Sequence, residues 1–318
     1  MFFARYDSPV GPLTLASNGA ALTGLSFGAP STPAPDMDLF GPAFRWLDVY
    51  FSGRDPGATP PLSPAGTAFQ RKVWDHLQTV PFGETVSYGA LARRIGCGSA
   101  RAVGQAVHHN PIALMIPCHR VIGADGSLTG FGGGLDVKRR LLTLEESRMR
   151  LLFTMDRGDW EEGKKSFSRP SARAVVIRDG RVAMVYSQKF CHYKFPGGGI
   201  EPGESREAAL LREAREEAGL VLDPQSVRPY GFVHRIEKGG AEPIFLQDNF
   251  YYLADPQAVV SQELDGYEAE EGYTLRWVEP REAIEQNLAL TNAYKRKYHT
   301  MLLREAMVLK RLKEEGLL

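Results

Sequence analysis

The chain has 318 residues, 38 of them basic and 38 acidic, with 43% hydrophobic and 24% charged residues. That is a globular composition, long for one core and comfortable for two domains. Zero net charge excludes a global field for a polyanion, so any basic surface must be local. The three cysteines, Cys97, Cys118 and Cys191, are odd in number and widely spaced, which argues against a disulfide framework and for a reducing, cytoplasmic setting. The first residues lack the basic and apolar regions of a signal peptide, and no run of ~18 apolar residues occurs, so no membrane span is expected.

Residues 1 to 28 alternate apolar and polar positions between turn residues, with Leu13, Leu15, Leu22, Leu25 and Phe27 on the apolar set, and predict a small β-meander. Phe44 to Phe51 predicts a short helix, and the Gly/Pro-rich stretch from Ser52 to Thr67 a linker. Phe69, Val73, Trp74 and Leu77 then recur at helical spacing until Pro81. Ser87 caps a helix through Leu91 and Ile95 that ends at Gly96. A second helix follows Gly98-Ser99, carries Val103, Ala106 and Val107, and ends at Asn110-Pro111. Two short helices joined by a glycine-containing turn form a helix-turn-helix pattern. Ile112 to Ile116 is a strand-like run into Pro117-Cys118-His119. A glycine-rich wing from Gly123 to Gly134 and a helix through Leu141, Leu142 and Leu144 complete this half. The boundary is expected near Ser147. Beyond it, Leu151 to Met155 could form an edge strand, and further strands fit 172–177, 182–187, 230–234, 250–253 and 273–278. An amphipathic helix spans 205–218, and the chain from Arg281 onward is helical. No internal repeat is visible.

Two segments carry chemistry. A thiolate is the reactive form of cysteine, and cationic neighbours lower the thiol pKa. Cys118 is followed by His119 and Arg120, so a base and a cation are near enough to be arranged around it, and Glu145 could orient the base. An inert buried cysteine is the plain alternative, and a metal site built from Cys97, Cys118, His108 and His109 matches no structural zinc spacing. From 93 to 140 the basic residues Arg93, Arg94, Arg101, Arg120, Lys138, Arg139 and Arg140 face only Asp125 and Asp136, a local basic excess that suits phosphate binding.

The ordered motifs Gly83-Glu84-Thr85-Val86-Ser87-Tyr88, Arg101-Ala102-Val103-Gly104, Asn110-Pro111, Ile116-Pro117-Cys118-His119-Arg120-Val121-Ile122-Gly123 and Gly133-Gly134-Leu135 resemble the O6-alkylguanine-DNA alkyltransferases across roughly residues 1 to 146. The resemblance implies that Cys118 accepts the alkyl group in a single turnover. It implies that His119 deprotonates the thiol through a bridging water, Glu145 holds His119, Asn110 ties the helix-turn-helix to the active-site loop, and Tyr88 protonates the leaving guanine. Arg101 would enter the base stack, with Ser99, Gly104 and Arg120 also at the DNA. Phe131 falls at an apolar pocket position and Gly132 where some members carry serine. The implied partner is double-stranded DNA with O6-alkylguanine, or O4-alkylthymine, bound through the minor groove with the nucleotide flipped out. A lesion-sensing DNA-binding protein without chemistry is the rival, and such alkyltransferase-like proteins lack the cysteine.

The second segment is Gly198-Gly199-Ile200-Glu201-Pro202-Gly203-Glu204, seven residues, then Arg212-Glu213-Ala214-Arg215-Glu216-Glu217-Ala218-Gly219-Leu220. Helical spacing gathers Glu213, Glu216 and Glu217 on one face, where hard oxygen donors suit Mg²⁺. Ala208, Leu211 and Ala214 form an apolar strip, Gly219 can end the helix in the left-handed conformation, and Arg212 can pair with Glu204. A solvated charged helix is the plain alternative. The full pattern resembles the Nudix box, with Ala214 where a larger aliphatic residue is usual, and the resemblance covers roughly residues 149 to 300. It implies Mg²⁺- or Mn²⁺-dependent hydrolysis of a nucleoside diphosphate linked to another group. Glu213, Glu216 and Glu217 would bind metal with a carbonyl near Gly198 or Gly199, and Glu204 and Arg212 would be structural. A later carboxylate would come from Glu268, Glu270 or Glu271, with Glu271 favoured. Cys191 and His192 read as a strand-end cysteine and a substrate-edge histidine. A Nudix fold used only for binding is the rival, usually with an eroded box.

The expected architecture is α/β and multidomain. It comprises a small α/β subdomain (1–55), a winged helix-turn-helix alkyltransferase domain (66–147), an α/β/α Nudix sandwich (149–300) and a C-terminal helix (301–318).

Overall fold

The computed structural model describes residues 1–28, 37–161, 164–239, 243–291 and 298–318. The chain divides into two compact units, Met1–Leu151 and Leu152–Leu318.

The first unit opens with the meander: β1 (Phe2–Ser8), β2 (Gly11–Ser17) and β3 (Leu22–Phe27) pair antiparallel in that order. Strand alternation sends Leu13 and Leu15 inward. Helix α1 (Met37–Phe51) is a full turn or more longer than its apolar periodicity suggests. It buries Phe40, Ala43, Leu47, Tyr50 and Phe51, and Tyr6 of β1 packs on Phe44 and Phe51 while its hydroxyl donates to Asp48 at 2.8 Å. The linker region, apart from a bridge between Leu22 and Leu62, has no regular structure until α2 (Ala68–Leu77). Thr67 and Gln70 form a capping box there, and Trp74 is buried with Nε1 donating to the Ala106 carbonyl at 2.8 Å.

Ser87 caps α3 (Tyr88–Arg94) and Ser99 caps α4 (Ala100–His108), each hydroxyl accepting from an amide three residues on. Strand β4 (Val86–Ser87) pairs in parallel with β5 (Val121–Ile122), and α5 (Leu135–Ser147) closes the unit. The run Ile112–Ile116 is not a strand. Only Ile112 bridges to Leu25; Met115 and Ile116 turn back on Ala113 and Ile112, and Leu114 takes φ 66°. Its apolar character reflects burial of a loop, which composition cannot separate from a strand.

In the second unit, β6 (Leu151–Asp156), β7 (Ser166–Ser168), β8 (Ser171–Val175), β13 (Arg228–Lys238) and β14 (Ile244–Leu253) form one sheet. β9 (Ile177–Arg178), β10 (Arg181–Ser187), β11 (His192–Lys194) and β16 (Tyr273–Val278) form another. Helix α6 (Arg206–Ala218) follows a glycine-rich loop and leads into β12 (Leu220–Leu222). Then come β13 (Arg228–Lys238), β14 (Ile244–Leu253), β15 (Pro256–Val259), α7 (Gly266–Glu271), β16 (Tyr273–Val278), α8 (Pro280–Thr291) and α9 (His299–Glu314). Strand β8 runs parallel to β14 while β13 and β14 form a long antiparallel pair. The buried face of α6 is Ala209, Leu210, Ala214, Glu217 and Ala218, not the expected strip of Ala208, Leu211 and Ala214; Ala208 is exposed. The C-terminal helix is not a separate appendage: Leu302, Val308, Leu309 and Leu312 are buried, and Val308, Leu309 and Leu312 belong to the core that holds Val182, Met184 and Phe195. The expected helical tail also covers 292–297, which lie outside the described residues.

Gly53 makes a close approach that tests this packing. It adopts φ +81°, and a Cβ there would lie 2.7 Å from the Met149 carbonyl carbon. Gly57, at φ +68°, has open space. Gly57→Ala should lose only the left-handed penalty of roughly 1–2 kcal/mol. Gly53→Ala should lose more, because backbone must also shift. Hydrogen exchange across residues 1–151 measures both, and equal losses would contradict the close approach.

Candidate functional sites

The first site is built around Cys118, which opens a short 3-10 turn, Cys118–Arg120. The thiol lies in the wall of a cavity of about 250 Å³ lined by Tyr88, Gly104, Asn110, Phe131 and Gly132 among others. Asn110 spans the site: Nδ2 donates to the Ile116 carbonyl at 2.8 Å and to Cys118 Sγ at 3.1 Å, and Oδ1 accepts from Ile112 N at 3.0 Å. His119 and Glu145 are both fully or almost fully buried, with Nε2 of the ring 2.6 Å from Glu145 Oε1. Arg120 Nε donates to Glu145 Oε2 at 2.8 Å, its Nη2 donates to Oε1 at 3.1 Å, and its Nη1 donates to the Val80 carbonyl at 2.6 Å. Tyr50 and the Gly83 amide also donate to Glu145, at 2.8 and 3.1 Å.

These contacts set the charges. Burial pushes the Glu145 carboxyl up, but His119 and Arg120 overcome it and hold the pKa down to about 2. An ionised carboxylate only accepts, so His119 Nε2 carries the proton. Burial lowers the His119 pKa despite Glu145, so the ring is neutral and its Nδ1 offers a lone pair. That Nδ1 is buried with no hydrogen-bond partner among the described residues. Burial raises the Cys118 pKa, with Asn110 and Lys138 pulling the other way. The resting group is therefore a thiol.

The second site lies between the glycine-rich loop and α6. Gly197 and Gly198 leave no room for side chains: a Cβ on the first would overlap the Ala172 carbonyl, and on the second the Glu213 carboxylate. Glu217 is buried; Oε2 accepts from Gly197 N at 3.0 Å and Oε1 pairs with Lys194 Nζ. Lys194 also stands over the Tyr273 ring at 4.4 Å. Arg212 binds both oxygens of Glu204 at 2.9 and 3.0 Å, the Gly199 carbonyl at 3.1 Å, Glu213 at 2.8 Å and Glu216 at 3.1 Å. Burial and the Glu217 charge raise the pKa of Glu213, and the same two causes push Glu268 up to about 7. Among the described residues no three His, Cys, Asp or Glu side chains are gathered closely enough to hold a metal ion. The donor chemistry nonetheless fits a hard cation, because the Glu217 carboxylate repels those of Glu213 and Glu268 beside a backbone loop.

Residues 1–64 match the family model described as 6-O-methylguanine DNA methyltransferase, ribonuclease-like domain, and residues 68–147 that of the same enzyme's DNA binding domain. A Mycobacterium bovis methylated-DNA–protein-cysteine methyltransferase is 52% identical over 153 residues, covering 46% of this chain and 93% of that protein. This chain belongs to the methylated-DNA–protein-cysteine methyltransferase family. A Methanosarcina acetivorans relative with the same name is 44% identical over 155 residues, covering 46% of this chain and 99% of that protein. The crystal structure of Mycobacterium tuberculosis OGT in complex with DNA is 49% identical over 47% of this chain and 96% of that one, with a TM-score of 0.44. Residues 168–301 match the NUDIX domain model, so the chain fuses a methyltransferase to a Nudix domain, with the general dependence on divalent cation that such a domain carries. A Burkholderia pseudomallei MutT Nudix hydrolase structure is 22% identical over 38% of this chain and 98% of that one, with a TM-score of 0.29.

In the methyltransferase unit the structure brings together Cys118, Asn110, Tyr88 and Gly104 at the cavity and His119 and Glu145 behind it. Arg120 is a correction: it was expected at the DNA, yet it is buried and both ends of its guanidinium are engaged. Lys138 and Arg140 also leave the expected basic surface. Lys138 is fully buried, its Nζ donating to the carbonyls of Val121 and Thr129 at 2.6 and 2.9 Å, and burial lowers its pKa to about 8. Arg93, Arg94 and Arg101 remain exposed on α3 and α4. Ser99 is exposed, but its hydroxyl caps α4. Tyr50, which sequence reasoning missed, enters the site from α1; nothing in its own segment distinguishes it from a core aromatic.

In the Nudix unit, Glu204 and Arg212 pair as expected. Both later carboxylates are engaged: Glu271 accepts from Tyr298 at 2.7 Å and Ser187 at 3.4 Å, and Glu268 from Tyr267 and the Asp265 amide at 3.2 Å each, while burial and the Glu217 charge raise the Glu268 pKa. The Gly198 carbonyl already accepts from Ala172 N at 3.0 Å, leaving one lone pair. His192 is fully buried, not at a substrate edge, and Cys191 is exposed.

The relay makes the methyltransferase unit acid-labile. A carboxylate depressed to about 2 contributes stability above its ordinary 4.5 and loses it as pH falls between those values. His119, lowered from 6.5, adds a loss of the same sign on acidification. Urea titrations read by exchange protection of residues 1–151 should show this loss. Glu145→Gln should remove the carboxylate step and cost about 3–5 kcal/mol at neutral pH by leaving Arg120 unpaired.

Proposed function

We propose that the methyltransferase unit repairs DNA by transferring the alkyl group of O6-alkylguanine, and of O4-alkylthymine, to Cys118. The observation that carries this reading is the neutral His119 ring, fixed by Glu145 and presenting an unpartnered buried Nδ1 beside a cysteine that opens onto a cavity. Alkyl carbons on a base edge are unreachable inside a duplex, so the nucleotide must be flipped into that cavity. Arg101, exposed on α4, fills the vacated stack, with Arg93 and Arg94 nearby in sequence to meet phosphates. The thiol proton passes through a bridging water to His119 Nδ1. Cys118 Sγ then attacks the alkyl carbon, the S–C bond forms, and the C–O6 bond breaks with its electron pair leaving on the base. Tyr88 delivers the proton that the departing guanine takes up, and Asn110 orients Sγ. The thioether is stable, so each chain acts once.

The Nudix unit hydrolyses a nucleoside diphosphate linked to another group. Glu213, Glu216 and Glu217 would hold Mg²⁺ or Mn²⁺ with the Gly198 carbonyl, and Glu271 or Glu268, the latter bearing on Glu217, would supply the further carboxylate. A bound cation supplies neutralisation of the diphosphate and activation of water. Arg212 and Glu204 fix the loop against the helix, and Lys194 holds Glu217 in place. Both units act in the cytoplasm in this reading; no helix among the described residues is long and apolar enough to cross a membrane.

Label from alkylated duplex should appear on the protein at one equivalent per chain and be lost in Cys118→Ala; label retained by that variant would sink the assignment. Glu217→Gln should abolish cation-dependent hydrolysis in a screen of alkylated and oxidised nucleoside triphosphates, ADP-ribose, dinucleotides and nucleotide sugars. Unchanged turnover would remove Glu217 from the site.

A further inference from the structure

The alkyl-transfer reading uses side chains from residues 88 to 145, yet a side chain from the N-terminal part of the unit reaches the same relay. Tyr50, in the last turn of α1, is fully buried. Its hydroxyl donates to Glu145 Oε1 at 2.8 Å and lies 3.2 Å from His119 Nε2. Because Glu145 is ionised, Nε2–H is shared between the carboxylate and the phenol oxygen, and Tyr50 closes a three-membered ring of hydrogen bonds. The phenol ring is itself immobilised. It stacks on Trp46 at 5.5 Å and 9° and meets Phe82 edge-on at 5.8 Å, and the His119 ring packs across it at 6.3 Å and 84°. A rotation of the imidazole that moved Nε2 would break contacts with both Tyr50 and Glu145.

We infer that Tyr50 is a positioning residue for alkyl transfer, orienting His119 and moderating the Glu145 carboxylate so that Nδ1 receives the Cys118 proton. This rests on the proposed relay. A hydroxyl that donates to Glu145 withdraws negative charge from it, so Glu145 steadies the imidazolium less strongly and His119 can give its proton up again. The charged or titratable groups bearing on His119 are Glu145, Arg120, Lys138 and Tyr50 itself, with Cys118 bearing in turn on Tyr50. Among the described residues, Tyr50 touches both members of the ring–carboxylate pair without carrying charge. It also gives the N-terminal part of the unit a share in the chemistry beyond packing.

Full-length Tyr50→Phe keeps the aromatic packing and removes the hydroxyl. At saturating alkylated duplex its single-turnover rate should fall roughly 10-fold at neutral pH, well short of the ~10²–10⁴-fold expected for losing the base itself. Duplex affinity and the final one alkyl per chain should not change. The rate should rise with pH as His119 becomes neutral, and the midpoint of that rise should move upward, because Glu145 with one donor fewer holds the imidazolium more firmly. A rate and midpoint like the parent's would overturn the inference, as would a slower rate with an unmoved midpoint, which is what loosened packing alone gives. Fluorotyrosine at position 50 preserves the shape and donates more strongly, so it should move the midpoint the opposite way, and it tests the idea even where Tyr50→Phe folds poorly. His119→Gln runs alongside. A large loss there with a parent-like Tyr50→Phe defeats the Tyr50 role alone, whereas a parent-like His119→Gln defeats the relay on which it rests.

Discussion

The buried carboxylate of Glu145 organises the methyltransferase unit. It accepts from Tyr50 of α1, from the Gly83 amide before β4, and from His119 and Arg120 of the turn that carries Cys118, while its own backbone belongs to α5. Three segments far apart in the chain therefore converge on two oxygens carried by a fourth. Such a group is costly to bury and strongly destabilising when left half-paired, so its partners are held in one arrangement. That arrangement also decides the protonation of the site: the ionised carboxylate fixes the proton on His119 Nε2, and burial keeps the ring neutral. Packing and catalysis meet in the same contacts.

The Nudix unit solves a related problem with the opposite sign. Its loop and helix present several carboxylates, and Arg212 and Lys194 share the task of restraining them. Arg212 suits a central place because its planar fork reaches Glu204, Glu213, Glu216 and the Gly199 carbonyl together, which a point-charge lysine could not do. Lys194 suits the inner place because its ammonium can sit against Glu217 and over the Tyr273 face at once. Glu213 and Glu268 remain raised, so this cluster keeps a demand for positive charge that the methyltransferase relay does not have.

Much of both sites was legible in the sequence because their residues lie in short, strongly patterned segments. Spacing placed Glu213 and Glu217 on one helix and Arg212 opposite Glu204, and periodicity located α2, α3 and α4. What spacing could not read was direction in three dimensions. Ile112–Ile116 is apolar because a loop is buried, and pattern alone treats that as a strand. Arg120 and Lys138 look like surface cations in a basic stretch, but long side chains can turn inward wherever carbonyls or a carboxylate await them, and those acceptors come from distant elements. Glu268 and Glu271 lie on one short helix, and which of them faces Glu217 depends on how α7 is set, not on its composition. Tyr50 was invisible for the same reason: its neighbours in sequence are core aromatics, and its polar partners lie 69 and 95 residues away.

The raised pKa of Cys118 gives the relay its sense. A standing thiolate is the form that oxidants and stray electrophiles attack, and a cysteine used once has no second chance. Burial keeps the sulfur protonated, with Asn110 donating to it and Lys138 lowering only part of the penalty. The proton must then be removed when the substrate is seated, by a base that is already neutral and already oriented. His119 meets those conditions because its other nitrogen is tied to Glu145 and Tyr50 before any DNA arrives. Nucleophilicity is thus withheld by desolvation and released by a preset proton acceptor, so the selectivity of a single-use thiol resides as much in the groups behind it as in the cavity before it.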